Sequence, residues 1–148
     1  MSGQHATLLR EMHLALLSEF GARAAYADLA RWLRDPELKR VLTGLSAESG
    51  EQVNALSETM AALGGRPLRS SARRRVLAAA LALSTPILGR RIVLRTCASA
   101  ADKASRWYAY FQIHLLQIGQ TELAATCGRL SDVRRSHAQA LETWVENA

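Results

Sequence analysis

Apolar residues recur every three or four positions along most of this chain, the spacing that puts them on one buried helix face. From Thr7 to Leu33 they fall at Leu9, Met12, Leu16, Phe20, Ala24, Ala27, Ala30 and Leu33, which predicts a first helix over that span. The pattern stops at "RDPEL". There Asp35 suits an N-cap, Pro36 the first helical position, and Glu37 the positive end of a new helix. A second helix is expected from Pro36 to about Leu63, through Leu38, Val41, Leu42, Leu45, Val53, Leu56 and Met60. "GGRP" ends it, with Gly64 or Gly65 as the left-handed cap and Pro67 following. The periodicity resumes in a third long helix from about Arg91 to Ile118. Gly119 breaks it, and a fourth helix runs from Thr121 to about Val145.

Residues 68–89 depart from this pattern. "RSSARRRVLAAALALSTPILGRR" (69–91) is apolar all round in its middle, broken by Pro86 and Gly89, and carries arginine at both ends. The segment reads as a crossover between two helical hairpins. An internal echo supports the pairing: "PELKRVLTGLS" (36–46) resembles "TELAATCGRLS" (121–131), and the same register sets Leu56 against Leu141. The expected architecture is therefore all-α, a ferritin-like four-helix bundle of two hairpins joined by a long connection. Its 148 residues suit one domain spanning 1–148. An Ala- and Leu-rich composition with few β-branched runs agrees.

Charge changes the picture of the crossover. The net charge is +6, and no Asp or Glu occurs from Thr59 to Ala101, a window holding Arg66, Arg69, Arg73, Arg74, Arg75, Arg90, Arg91 and Arg95. Between the arginine clusters lie thirteen residues, "VLAAALALSTPIL". They are too few to span about 30 Å of hydrocarbon as a helix. An apolar centre flanked by arginine fits a segment lying in a membrane interface, its guanidinium groups on anionic headgroups. The candidate contact residues are Arg69, Arg73, Arg74, Arg75, Leu77, Leu81, Leu83, Leu88, Arg90 and Arg91. A buried crossover, or an interface in a homo- or hetero-oligomer, would also cover such a patch. Nucleic acid ranks well below these partners, because no aromatics interleave the arginines and no DNA-binding motif is present.

Cys97 and Cys127 read as buried free thiols in a reducing compartment. The N-terminus has no basic stretch followed by an apolar one, so no signal peptide is expected. No Ser-His-Asp or Cys-His arrangement, glycine-rich phosphate loop or Cys-x-x-Cys pair occurs.

The chemistry centres on acidic residues within the helices. Glu19 sits among Leu16, Leu17, Phe20 and Tyr26, so its carboxylate must be paired, protonated or metal-bound. Ferritin-like dinuclear sites take one Glu from each of two helices and a Glu-x-x-His from each of the other two. Held against that template, Glu19, Glu48, Glu51, Asp102 and His137 are the candidate ligands. Three residues before His137 stands Arg134, a cation where the template wants a carboxylate. Arg134 could instead pair with Glu19, Glu48 or Asp102 and fill the metal cavity. The register of the internal echo is different again: it sets Ser49 against Arg134 and Gln52 against His137.

"EFGARAAYA" from Glu19 resembles the first-helix motif of the demethoxyubiquinone hydroxylase family: Glu, an aromatic, Gly-Ala, and a Tyr seven residues after the Glu. "LGGRP" followed by an apolar crossover, and Cys97 five residues before Asp102, resemble the corresponding parts of that family. The resemblance spans about Leu16 to Leu141. It implies a ferritin-like di-iron monooxygenase, cytoplasmic and peripheral to the bacterial inner membrane, that holds two iron ions and acts on a quinone or other lipid-like molecule. It implies Glu19 and Glu48 as direct ligands, Asp102 in place of a Glu, Glu51 in a His position, and His137 as the last His. Tyr26 and Tyr108 would pack beside these carboxylates. The alternative is a non-catalytic descendant, its metal site degenerate, that serves as a lipid-binding, partner-binding or structural module.

Overall fold

The computed structural model describes residues 3–147. They form six helices: α1 (Gly3–Trp32), α2 (Pro36–Ala62), α3 (Ala72–Leu83), α4 (Thr85–Leu88), α5 (Arg90–Gln117) and α6 (Thr121–Glu146). The four long ones match the expected spans closely, α1 beginning a turn earlier. Asp35 caps α2 as its residue type requires, its Oδ1 accepting from the backbone N–H of Glu37 and Leu38 at 3.0 and 3.2 Å. Gly64 follows α2 at φ 88° and Gly119 follows α5 at φ 78°, a region that side chains strain to enter.

α1 packs on α2 and α5 on α6 as two hairpins, and the hairpins meet through α1 on α5 and α2 on α6. Two apolar clusters fill the interior. One gathers Leu8, Met12, Leu16, Leu56, Met60, Phe111, Leu115 and Cys127 at one end of the bundle. The other gathers Leu29, Leu38, Leu42, Val93, Leu94, Cys97 and Leu141 at the opposite end. α2 finishes in the first cluster, while α5 starts in the second. The connection must therefore travel the length of the bundle.

α3 makes that journey along α1, burying Ala78 and Ala82. Small residues let the two helices lie close. Ser71 caps α3 by accepting from the Arg74 N–H at 3.2 Å. Pro86 in the first turn of α4 and Gly89 after it give the crossover its break. The crossover over 68–89 is thus mostly helical.

Candidate functional site

Apart from Thr59, the buried polar positions fall at or beside the junction between the stretches that feed the two apolar clusters. Glu19 does so on α1, Ser49 and Gln52 on α2, Ser131, Arg134 and His137 on α6. Together they make a polar layer across the middle of the bundle. Ser105 of α5 joins it, linked to Ser131, whose Oγ donates to the Ser105 carbonyl at 2.8 Å.

Glu19 is the hub. Tyr108 Oη donates to Glu19 Oε2 at 2.5 Å, and Gln52 Nε2 lies 3.4 Å from the same oxygen. Gln52 also donates to the Leu130 carbonyl at 3.1 Å, which ties α2 to α6. Arg134 Nη1 stands 3.7 Å from Glu19 Oε1, with both side chains fully shielded from solvent. The same Nη1 reaches the Tyr26 hydroxyl at 3.5 Å. Each tyrosine therefore serves the polar group contributed by the other hairpin.

Burial pushes the Glu19 carboxyl above its usual range, against the pull of Arg134, Tyr108 and Gln52. Burial likewise raises Tyr26 and Tyr108, so both remain phenols. His137 moves the other way. Burial first, and then the charge of Arg134, lower it to about 4. Its imidazole is neutral at pH 7. The 3.5 Å approach of Glu48 Oε1 to His137 Nε2 is thus a contact between a carboxylate and an uncharged ring. Tyr26 meets that ring edge-on, centroids 5.9 Å apart.

The five candidate ligands do not converge. Glu19 and His137 are interior, and Glu48 leans over His137 from the surface with its side chain 48% exposed. Glu51 is exposed. Asp102 is exposed too, and pairs with Arg106 one turn on at 3.0 Å. In each of the last two cases the interior position is the adjacent residue: Gln52 beside Glu51, Ala101 beside Asp102. One residue turns a side chain about 100° around a helix. The register of the internal echo, Ser49 with Gln52 and Arg134 with His137, is the one the fold buries.

An iron pair does not fit this layer. Among the described residues no group of three or more His, Cys, Asp or Glu side chains could hold a metal ion. The template's ligand positions carry Glu19, Ala101, Ser49, Gln52, Arg134 and His137, which leaves one carboxylate and one imidazole. A guanidinium stays protonated at any physiological pH, and it repels metal cations. Arg134 instead supplies Glu19 with the positive charge that iron would otherwise bring.

Tyr108, expected beside the carboxylates, hydrogen-bonds Glu19, and Tyr26 joins the layer through Arg134. Ser49 and Gln52, which the internal echo sets opposite Arg134 and His137, are not among the candidate ligands.

A crystal structure titled as ferritin-like, diiron-carboxylate proteins from Bacillus anthracis str. Ames is similar to this chain with a TM-score of 0.82. The match covers 98% of this chain and 99% of that one, at 17% identity. The chain has a ferritin-like fold. No protein-family model matches the sequence, and no curated protein matches it.

A second feature lies on the crossover. Val76 (67% exposed), Leu77, Leu83, Ile87 (88%) and Leu88 project from α3 and α4, and Ile92 projects beside them from α5. Arg69, Arg73, Arg75, Arg91 and Arg95 are exposed on the same stretch. Three of the expected contact residues, Arg74, Leu81 and Arg90, are not exposed. Leu81 packs against the second apolar cluster, and Arg90 lies 3.8 Å from Asp35 and over the Trp144 ring. Among the described residues, no helix is long and apolar enough to cross a membrane.

Proposed function

We propose that this chain is a metal-independent ferritin-like bundle that docks on an anionic lipid surface through α3 and α4. One observation carries the reading: a buried guanidinium holds the place of a metal centre, while the crossover exposes apolar side chains among exposed arginines. An iron-dependent quinone hydroxylase, the activity implied by the resemblance of "EFGARAAYA", needs a ligand set that Ala101, Ser49 and Arg134 do not supply. The non-catalytic reading keeps the frame and assigns the interaction to the crossover.

The chemistry of docking is ordinary. Ile87, Leu88, Val76 and Leu83 enter the acyl boundary, and Arg73, Arg75 and Arg91 meet phosphate headgroups. Flotation with vesicles of zwitterionic lipid, with and without an anionic component, tests the proposal. Binding confined to the anionic vesicles supports it, and no binding to either overturns it.

A further inference from the structure

Between α1, α3 and α5 runs a half-enclosed groove of about 170 Å³. Its walls are mostly small or aliphatic: Gly21, Ala22 and Ala25 from α1, Leu77 and Ala78 from α3, Ala100 from α5. Tyr26 and Cys97 close it on the side of the bundle core. The volume compares with the apolar cavity of roughly 150 Å³ that admits a benzene ring. It suits one ring or a few methylenes of a longer chain, the remainder leaving through the open side.

Arg74 sets the specificity of this groove. Its stem passes over Gly21, where an added Cβ would stand in ordinary van der Waals contact, 3.6 Å from Arg74 Cδ. Arg74 as a whole residue is half-buried, and among the described residues its side chain has no ion-pair or hydrogen-bond partner. No Asp or Glu lies within 59–101, the stretch that supplies the α3 and α5 walls. Ser18 and Thr96 add hydroxyls to the lining. An arginine without a partner at the edge of the groove favours an anion, and the apolar wall favours hydrocarbon.

We propose that the groove binds a single-chain amphiphile with a carboxylate head, of the fatty-acid class, its head on Arg74 and its chain against Ala22, Ala25, Leu77 and Ala78. A neutral quinone ring would leave Arg74 unsatisfied. The groove shares Leu77 with the α3–α4 docking face, but the inference stands without docking, since a free fatty acid can be drawn from solution.

Fluorescence titration of the full chain with a naturally fluorescent polyene fatty acid, and with the matching alcohol, tests it. The acid is expected to saturate at about one per chain and to bind about tenfold more tightly than the alcohol, the worth of one charge-assisted contact. Arg74→Gln should bring the acid down to the affinity of the alcohol. Ala100→Phe, at an exposed position that the core does not use, should block both ligands while thermal unfolding stays cooperative. Equal affinities for acid and alcohol, or undiminished binding by Ala100→Phe, would overturn the proposal. Vesicle flotation of Ala100→Phe separates the two readings: it should float as wild type does, so a failed titration leaves lipid docking intact and a failed flotation leaves the groove intact.

Discussion

Arg134 and Glu19, from opposite hairpins, face each other across the middle of the bundle at 3.7 Å, and neither side chain reaches solvent. A buried pair of this kind rarely stabilises a fold beyond what apolar residues would achieve, because both charges lose their water. This pair is also incompletely satisfied: Glu19 Oε1 and Arg134 Nε and Nη2 lack protein hydrogen bonds, as do Ser49 Oγ and both His137 ring nitrogens. The layer thus holds the helices in register more than it drives folding.

Removing one partner should be costly and removing both much less so. Arg134→Met alone is expected to lower stability by about 3–5 kcal/mol, because Glu19 is left buried without its cation. Glu19→Gln combined with Arg134→Met should lose well below the sum of the single losses. Urea unfolding of the four proteins gives the coupling directly. Strictly additive losses would show that the two groups do not depend on each other.

Acid should weaken the fold through His137. Its folded-state value near 4 lies below the ordinary 6.5, so the folded protein binds this proton less readily than the unfolded chain does. The stability this group contributes is complete above about pH 6.5 and is lost as pH falls toward 4, a change on the order of 2–3 kcal/mol. Glu19, raised by burial, contributes in the opposite sense as pH climbs above 4.5. The difference between wild type and His137→Gln isolates the histidine. That difference should shrink steadily between pH 7 and pH 4.5, and a constant difference would contradict the assignment.

Much of the frame could be read from residue types alone. Asp35, Pro36 and Gly64 mark helix ends by capping chemistry that acts locally, and the spacing of Leu38, Leu42 and Leu45 needs only one apolar neighbour. The polar layer was harder. Glu51 and Asp102 attract attention because they are acidic, yet solvent accepts a carboxylate at no cost, and both face it. Ser49 and Ala101 have nothing in their chemistry to mark them as interior. For Ser49, register is the mark. The echo of 36–46 in 121–131 carries Ser49 onto Arg134 and Gln52 onto His137, and the fold buries all four. The half-buried Arg74 depends on how α3 lies along α1, a tertiary relation that no local pattern encodes.

Register also states how a metal site would be rebuilt. Ala101→Glu, Ser49→Glu, Gln52→His and Arg134→Glu, together with native Glu19 and His137, complete the template of two single Glu and two Glu-x-x-His pairs. Wild type purified from iron-supplemented cells is expected to hold no stoichiometric iron and to keep its melting temperature in chelator. The fourfold variant should bind about two transition-metal ions per chain and be stabilised by them. Metal uptake by wild type equal to that of the variant would refute the view that Arg134 has taken the metal's role.

The docking face can be dissected into its two forces. An arginine near an anionic surface contributes about 1 kcal/mol, so Arg73→Glu with Arg75→Glu removes about 2 kcal/mol and adds repulsion. Partition onto anionic vesicles should fall at least about thirtyfold. Raising salt from 0.1 to 0.5 M should weaken wild type in the same direction, because the attraction is screened within a Debye length. Ile87→Ser with Val76→Ser leaves every charge in place and removes insertion, so its residual binding should be the more salt-sensitive of the two. If neither double variant changes partition while Ile87→Ser with Val76→Ser turns an oligomer into a monomer on sedimentation, the patch belongs to a second copy of the chain. The arginines would then be only the solvated rim of that interface.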